Sequence, residues 1–212
     1  LCRQIIEENP SQLILLDHNE FGLYTIHSEL LHVCVEKGAR TDIVPLLASV
    51  KNPDRLMQIC QQYKPHTVYH AAAYKHVPLV EHNPVEGVRN NVWGTRVCAE
   101  AAVRNSVRNF VLISTDKAVR PTNVMGASKR TAEMLVLNAA QTSGKPFVVV
   151  RFGNVLGSRG SVVPTFQKQI EAGGPVTITH PDICRYFMTI PEAVQLVLQA
   201  SVLSQGGEVF ML

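Results

Sequence analysis

Short apolar runs alternate with helical stretches along the first three quarters of the chain, and that alternation leaves few folds open. "QLILLD" (12–17), "TDIVPLLASV" (41–50), "HTVYHAAA" (66–73), "NFVLIST" (109–115) and "PFVVVRF" (146–152) read as strands, apolar enough to be covered on both faces. Between them lie helical patterns: about Glu20 to Lys37, "NPDRLMQICQQY" (52–63), a long stretch from about Pro84 to Asn105, and "GASKRTAEMLVLNAAQ" (126–141). The second opens with a cap-like Asn52 and a proline at the first helical position. The pattern predicts an α/β fold, a doubly wound parallel sheet with right-handed crossovers.

Ligands of such sheets bind outside the carboxyl ends of the strands. Asp17, Ala71–Ala73, Thr115–Lys117 and Arg151–Asn154 all fall at those ends. After residue 155 glycine and proline increase and strict alternation stops. The expected organisation is a dinucleotide-binding domain over 1–154 and a smaller substrate-binding lobe over 155–212, partly interleaved with it.

Composition narrows the function. With 46% hydrophobic and 17% charged residues, the 212-residue chain suits one globular domain with a small lobe. A net charge of +3 without a basic run gives no reason to expect nucleic acid. The five cysteines are scattered and the eight histidines lack ligand spacing, so reduced thiols and no metal are expected. No apolar stretch approaches the roughly 20 residues that cross a bilayer, so this stretch is expected to be cytoplasmic without membrane contact. The chain opens at "LCRQIIEEN", inside a helical pattern and without an initiator Met, and is therefore expected to be an N-terminally truncated piece of a longer protein.

At the strand ends, each candidate has two readings. Asp17 either accepts hydrogen bonds from an adenosine ribose or caps the following helix. The glycine-rich turn expected about 20 residues earlier is absent, so the pyrophosphate would lose its backbone cradle and dinucleotide binding by this stretch is expected to be poor. Ala71, Ala72 and Ala73 either admit a flat ring or diphosphate close to the backbone or pack under a helix. Tyr74, Lys75 and His76 follow on a loop beside the cleft. Met125 and Lys129 lie one helical turn apart on one face. Lys129 either holds a ribose and places charge near a nicotinamide or is a solvated surface lysine. Arg151, ending an apolar strand, is expected to pair with a carboxylate inside the fold.

"HAAAYKHVPLVE", "NNVWGT", "ISTDKAVRPTNVMGASKR", "RFGNVLGSRGSVVP" and "RYFMTIPEA" occur in order over essentially the whole chain. In these motifs the chain resembles the nucleotide-sugar 4,6-dehydratases of the extended short-chain dehydrogenase/reductase group, in the polysaccharide-biosynthesis branch acting on UDP-N-acetylglucosamine. Where such enzymes usually carry a tyrosine, this chain has Met125, which marks a subtype within the branch.

The resemblance implies a Rossmann-like fold, NAD or NADP as cofactor, a UDP-sugar substrate, homo-oligomers and, for the full-length protein, upstream helices anchored at the inner membrane. It further implies that C4 is oxidised, water leaves from C5 and C6, and C6 is reduced, giving a 4-keto-6-deoxy sugar. Asp116 is then the protonated acid for the C6 hydroxyl, Lys117 the neutral base at C5, and Thr115 the partner of O4, with Met125 and Lys129 completing the catalytic set. Asp17, Ser49, Val50, Ala71, Ala72, Ala73, Asn91 and Lys129 would face the cofactor, Asn91 by holding nearby backbone. Ser49 replaces an aspartate common in the wider group. Lys75, His76, Asn154, Arg159 and Arg185 would face the substrate. A 4-epimerase, which needs no acid for a leaving hydroxyl, and a non-catalytic nucleotide-sugar-binding protein are the alternatives.

Overall fold

The computed structural model describes residues 1–158, 161–178, 180–182 and 184–212. Helix α1 (Cys2–Glu7) leads into β1 (Gln12–Asp17), α2 (Glu20–Lys37), β2 (Asp42–Leu47), α3 (Pro53–Tyr63) and β3 (Thr67–His70). Then come α4 (Val77–His82), α5 (Pro84–Val88), a π-helical turn (Arg89–Trp93), α6 (Gly94–Arg104), β4 (Asn109–Thr115) and a 3₁₀ turn (Asp116–Ala118). α7 (Val124–Ser143), β5 (Phe147–Phe152), β6 (Asn154–Val155), α8 (Val162–Glu171), β7 (Phe187–Met188), α9 (Ile190–Leu203) and β8 (Val209–Met211) complete the order.

β3, β4, β5 and β8 form one parallel sheet in the order β3-β4-β5-β8, and β1 pairs in parallel with β2. β6 and β7 form a separate short ribbon. Alternate residues of the central strands serve two cores. Phe110 and Leu112 on β4, with Phe147 and Val149 on β5, pack against α3, α6 and α7. Val111, Val148 and Val150 turn to the other face, where Val197 and Ala200 of α9 cover them. A third cluster joins α1 and α2 to β1 and β2 through Ile6, Leu15, Leu23, Leu30 and Ile43. Helices on both faces of parallel strands are the doubly wound α/β arrangement. The first core also takes in Leu46 and Ile14, so both sheets share one interior.

Local chemistry sets the helix ends. Asn19 starts α2 by accepting from the Gly22 amide at 2.7 Å, and Gly38, at φ 63°, ends it. Asn52 does the same for α3 through the Arg55 amide at 3.1 Å. α7 begins two residues earlier than its apolar pattern suggests, because Asn123 accepts from Gly126 at 2.8 Å. α9 opens with a Thr189–Glu192 capping box.

Three expectations need correction. The strand expected over 41–50 stops at Leu47, and that over 66–73 stops at His70, leaving Ser49, Val50 and Ala71–Ala73 in the loops beyond. The single helix expected over 84–105 contains the π turn at its centre, although its backbone stays right-handed throughout. At the C-terminus β8 returns to the main sheet and pairs with β5.

Phe110 is the packing keystone, fully buried with Phe147 at 5.3 Å and His70 at 5.9 Å between ring centroids. Phe110→Ala is expected to cost about 3–5 kcal/mol, visible as a lowered urea midpoint. A midpoint unchanged within error would show that this layer relaxes to fill the void.

Candidate active site at the carboxyl edge of the sheet

β4 ends in Thr115, and the chain turns at once into the 3₁₀ segment that carries Asp116 and Lys117. The hydroxyl of Thr115 donates to Asp116 Oδ1 at 2.9 Å and accepts the Lys117 amide at 3.4 Å. Lys117 Nζ donates to the same Oδ1 at 3.1 Å, and both side chains are about half exposed. The two groups thus face each other on the open edge. Burial pushes the Asp116 carboxyl up, but the bonds from Thr115 and Lys117 and the Lys117 charge outweigh it and hold the carboxyl below its ordinary range. Without a ligand the two groups are thus an ion pair, whereas the protonated Asp116 expected above belongs to the site with an apolar nicotinamide over it.

Behind the turn lies the first part of α7. Met125 and Lys129 are both buried there, and Lys129 Nζ donates to the Ile113 carbonyl at 2.5 Å. Lys129 is therefore no solvated surface lysine. Its burial lowers its pKa to about 8, although Glu133 one turn on pulls the other way. α7 comes this close because position 126 is glycine; a Cβ there would collide with the Lys117 carbonyl.

Asn91, from the π turn, is buried and spends its amide on the protein itself. It accepts from the Tyr74 amide at 2.7 Å and donates to the Tyr74 carbonyl and to Ser128 Oγ, both at 2.9 Å. Ser128 Oγ in turn donates to the Met125 carbonyl at 2.7 Å. The loop after β3 is thereby fastened to α7, and the extra residue of the π turn supplies the anchor. Next to it, His70 bonds Thr95 Oγ1 at 2.9 Å, and Thr95 gives its own proton to the Asn91 carbonyl at 2.7 Å. His70 Nε2 must then be the donor. Burial, assisted by the Lys129 charge, pushes its pKa down to about 3, so it is neutral.

Ala71 and Ala72 are exposed at the end of β3, and Ala73 is half-buried. They are not under a helix. Asp17 is half exposed and accepts the Asn19 amide at 2.8 Å; the cap of α2 is Asn19, so the capping alternative for Asp17 falls away. Ser49 Oγ accepts the Lys51 amide at 3.2 Å, while Val50 is buried against Gly94. Lys75 and His76 are exposed on the loop that starts α4. Asn154 sits on β6 opposite Phe187, its amide 3.5 Å from the Tyr186 carbonyl, and Arg185 is exposed with its guanidinium 2.8 Å from the Cys184 carbonyl. Arg159 lies outside the described residues. Thr115, Asp116, Lys117, Met125, Lys129 and Asn91 are thus drawn together by contacts, whereas Lys75, His76 and Arg185 make no side-chain bond to that cluster among the described residues.

Arg151 pairs inside the fold as its strand-end position implied. Its guanidinium makes two bonds to Glu133, at 2.8 and 2.5 Å. Sequence reasoning did not single out Glu133, Ser128, His70 or Glu81, whose carboxylate accepts the Val124 amide at 2.6 Å at the start of α7. The spacing Lys129-x-x-x-Glu133 was a usable signal for the first, as a helical pair on one face. A cavity of about 640 Å³ beside the end of α7, lined among others by Leu137, Gly144 and Gly206, lies at the amino-terminal edge and takes no part in this cluster.

Residues 1–212 match the family described as "Polysaccharide biosynthesis protein". The chain belongs to that family. It is 56% identical over 213 residues to the capsular polysaccharide biosynthesis protein CapD of Staphylococcus aureus, covering 100% of this chain and 35% of that protein. A UDP-glucose 4-epimerase of Rickettsia rickettsii is 44% identical over 147 residues, 68% of this chain and 43% of the relative. The chain spans about a third of the length of CapD. Among solved structures, Pen from Bacillus thuringiensis superposes with a TM-score of 0.89 at 33% identity, covering 99% of this chain and 63% of that one. DesIV, a dTDP-glucose 4,6-dehydratase of Streptomyces venezuelae with NAD and TYD bound, gives 0.80 at 18% identity over 99% of this chain and 69% of the other, a likeness of fold. The doubly wound parallel α/β fold described above is the one these structures share. No helix among the described residues is long and apolar enough to cross a membrane.

Lys129 gives a pH signature. An unfolded lysine keeps its proton to about pH 10.4, whereas the folded one releases it near 8. Between those values the unfolded state binds more protons, so stability contributed by this site rises with pH. Lys129→Met is expected to lack that rise when denaturant midpoints are compared from pH 7.5 to 10. Parallel curves for the two proteins would contradict the buried, depressed lysine.

Proposed function

We propose that the chain carries the catalytic edge of an NAD(P)-dependent UDP-N-acetylglucosamine 4,6-dehydratase serving surface polysaccharide synthesis. The observation that carries this reading is the Thr115–Asp116–Lys117 cluster, an acid and an amine in direct contact at the ligand edge of the sheet. Membership in the polysaccharide-biosynthesis family and the likeness to CapD support it. The residues suit a dinucleotide: exposed Ala71 and Ala72 leave the backbone open to a flat ring, and the half-exposed carboxylate of Asp17 favours a ribose hydroxyl over a 2′-phosphate, hence NAD. Homo-oligomers, and anchoring of the longer protein at the inner membrane, belong to the same reading.

Bound NAD(P) would supply the redox step, oxidising C4 and later reducing C6. The chain's own residues handle protons. Thr115 holds O4, and the 4-ketone acidifies the proton on C5. Lys117 removes that proton as a neutral amine, while Asp116 protonates the C6 hydroxyl, which leaves as water. The ligand-free ion pair reaches this state without gaining or losing a proton: transfer along the 3.1 Å bond turns ammonium and carboxylate into amine and acid. Covering the pair with a sugar and a flat apolar ring removes water and favours the uncharged form. Met125 cannot take the O4 proton, so that proton leaves through a water held by Thr115, Asp116 or Lys129.

In the full-length protein, turnover of UDP-N-acetylglucosamine in deuterated water is expected to give a 4-keto-6-deoxy sugar labelled at C5. Asp116→Asn and Lys117→Met should each lower kcat by about 10²–10⁴. An unlabelled sugar inverted at C4 would establish the epimerase that the rickettsial relative brings to mind, and unchanged ligand binding with no turnover in the parent protein would leave only a binding role. Met125→Tyr should hold activity within about tenfold; a loss beyond the 10²–10⁴ of one acid–base group would rule out the water route.

A further inference from the structure

Glu133 is fully buried, yet three side chains from three elements converge on it with four bonds. Ser114 of β4 donates to Oε1 at 2.5 Å, and Arg151 of β5 donates to Oε1 at 2.8 Å and to Oε2 at 2.5 Å. Arg130, on α7 itself, reaches Oε2 at 3.1 Å. Ser114 immediately precedes Thr115, Arg151 stands at the end of the next strand, and Lys129 lies one turn before Glu133. We infer that Glu133 is a positioning residue for the Thr115–Lys129 edge, acting through its negative charge as well as through its bonds.

The geometry gives the charge a specific task. Lys129 is buried against a neutral carbonyl and, among the described residues, makes no ion pair with a carboxylate. The groups around it are neutral His70 from β3, the self-paired Asp116 and Lys117 after β4, Arg151 on β5, and Arg130 and Glu133 on α7, with Glu81 of α4 at that helix's start. Glu133 alone among those next to Lys129 on its helix is an anion, and it offsets part of the desolvation that would discharge the lysine. Burial raises the Glu133 carboxyl, but the bonds from Arg151, Ser114 and Arg130 more than reverse this and keep it ionised. Glutamine there would lose the charge and, with one accepting oxygen in place of two, would keep only part of the clamp.

The role rests on the dehydratase reading only for its effect on turnover. The test is the pH titration of the Lys129 ε-methylene resonance, assigned by its loss in Lys129→Met. Glu133→Gln is expected to move the midpoint down by about one unit, and Arg130→Met, which removes only the half-exposed cation on the same carboxylate, to move it up. In turnover, the alkaline limb of the kcat profile should follow those shifts with KM little changed. If both variants stay folded by near-ultraviolet dichroism and the midpoint is static, the inference is overturned, whatever reaction the protein catalyses. Should Glu133→Gln fail to fold, Arg130→Met decides alone. Shifted midpoints without any dehydratase product would refute the functional reading and leave Glu133 in its role.

Discussion

Parallel hydrogen bonding is the constraint on which the site depends. Each central strand delivers its carboxyl end to one edge, and the crossover helices return the chain beneath or above the sheet. Residues far apart in sequence, such as His70, Thr115 and Arg151, therefore end in neighbouring positions without any contact having to select them. The register of β4 with β5 places Thr115 opposite Phe152 and Ser114 opposite Arg151. One face of those strand ends is thus tied to Glu133 while the following residues project into the open edge.

What the apolar pattern could reveal was the buried part of this design. β1, β4 and β5 are legible because a strand covered on both faces must be apolar throughout, and the flanking Asn19 and Asn52 mark helix starts by a mechanism local to a few residues. The π turn was not legible: its backbone differs from an α-helix by one residue per turn, and what stabilises it is the distant Tyr74 backbone held by Asn91. β8 was equally hidden, being three residues long and paired only by return to β5. In the candidate site the motifs pointed to Thr115, Asp116, Lys117 and Lys129, which the fold brings together, but not to the ligand-free ionisation of Asp116. That depends on two bonds whose partners the sequence names and whose geometry it does not.

Two lysines of the same edge show how environment divides their chemistry. Lys117 is half exposed with a carboxylate at contact distance; Lys129 is buried against a carbonyl, with its counter-charge one helical turn away. Burial acts against charge, and without a ligand it is Lys129 that is buried. Lys129 is suited to a standing field in the site, while Lys117 is suited to a proton that moves when water is excluded.

This division also bears on Met125. A phenol at that position would sit beside an already depressed lysine in a dry pocket and would compete for its proton. A buried thioether adds no titratable group, so the charge balance behind Thr115 rests on Lys129, Glu133 and Arg151. The half-exposed Asp116–Lys117 pair at the front stays open to solvent, which suits it to the proton exchange of the proposed reaction. Methionine at this position is thus compatible with an acid–base site whose working groups lie at the strand end rather than on the helix.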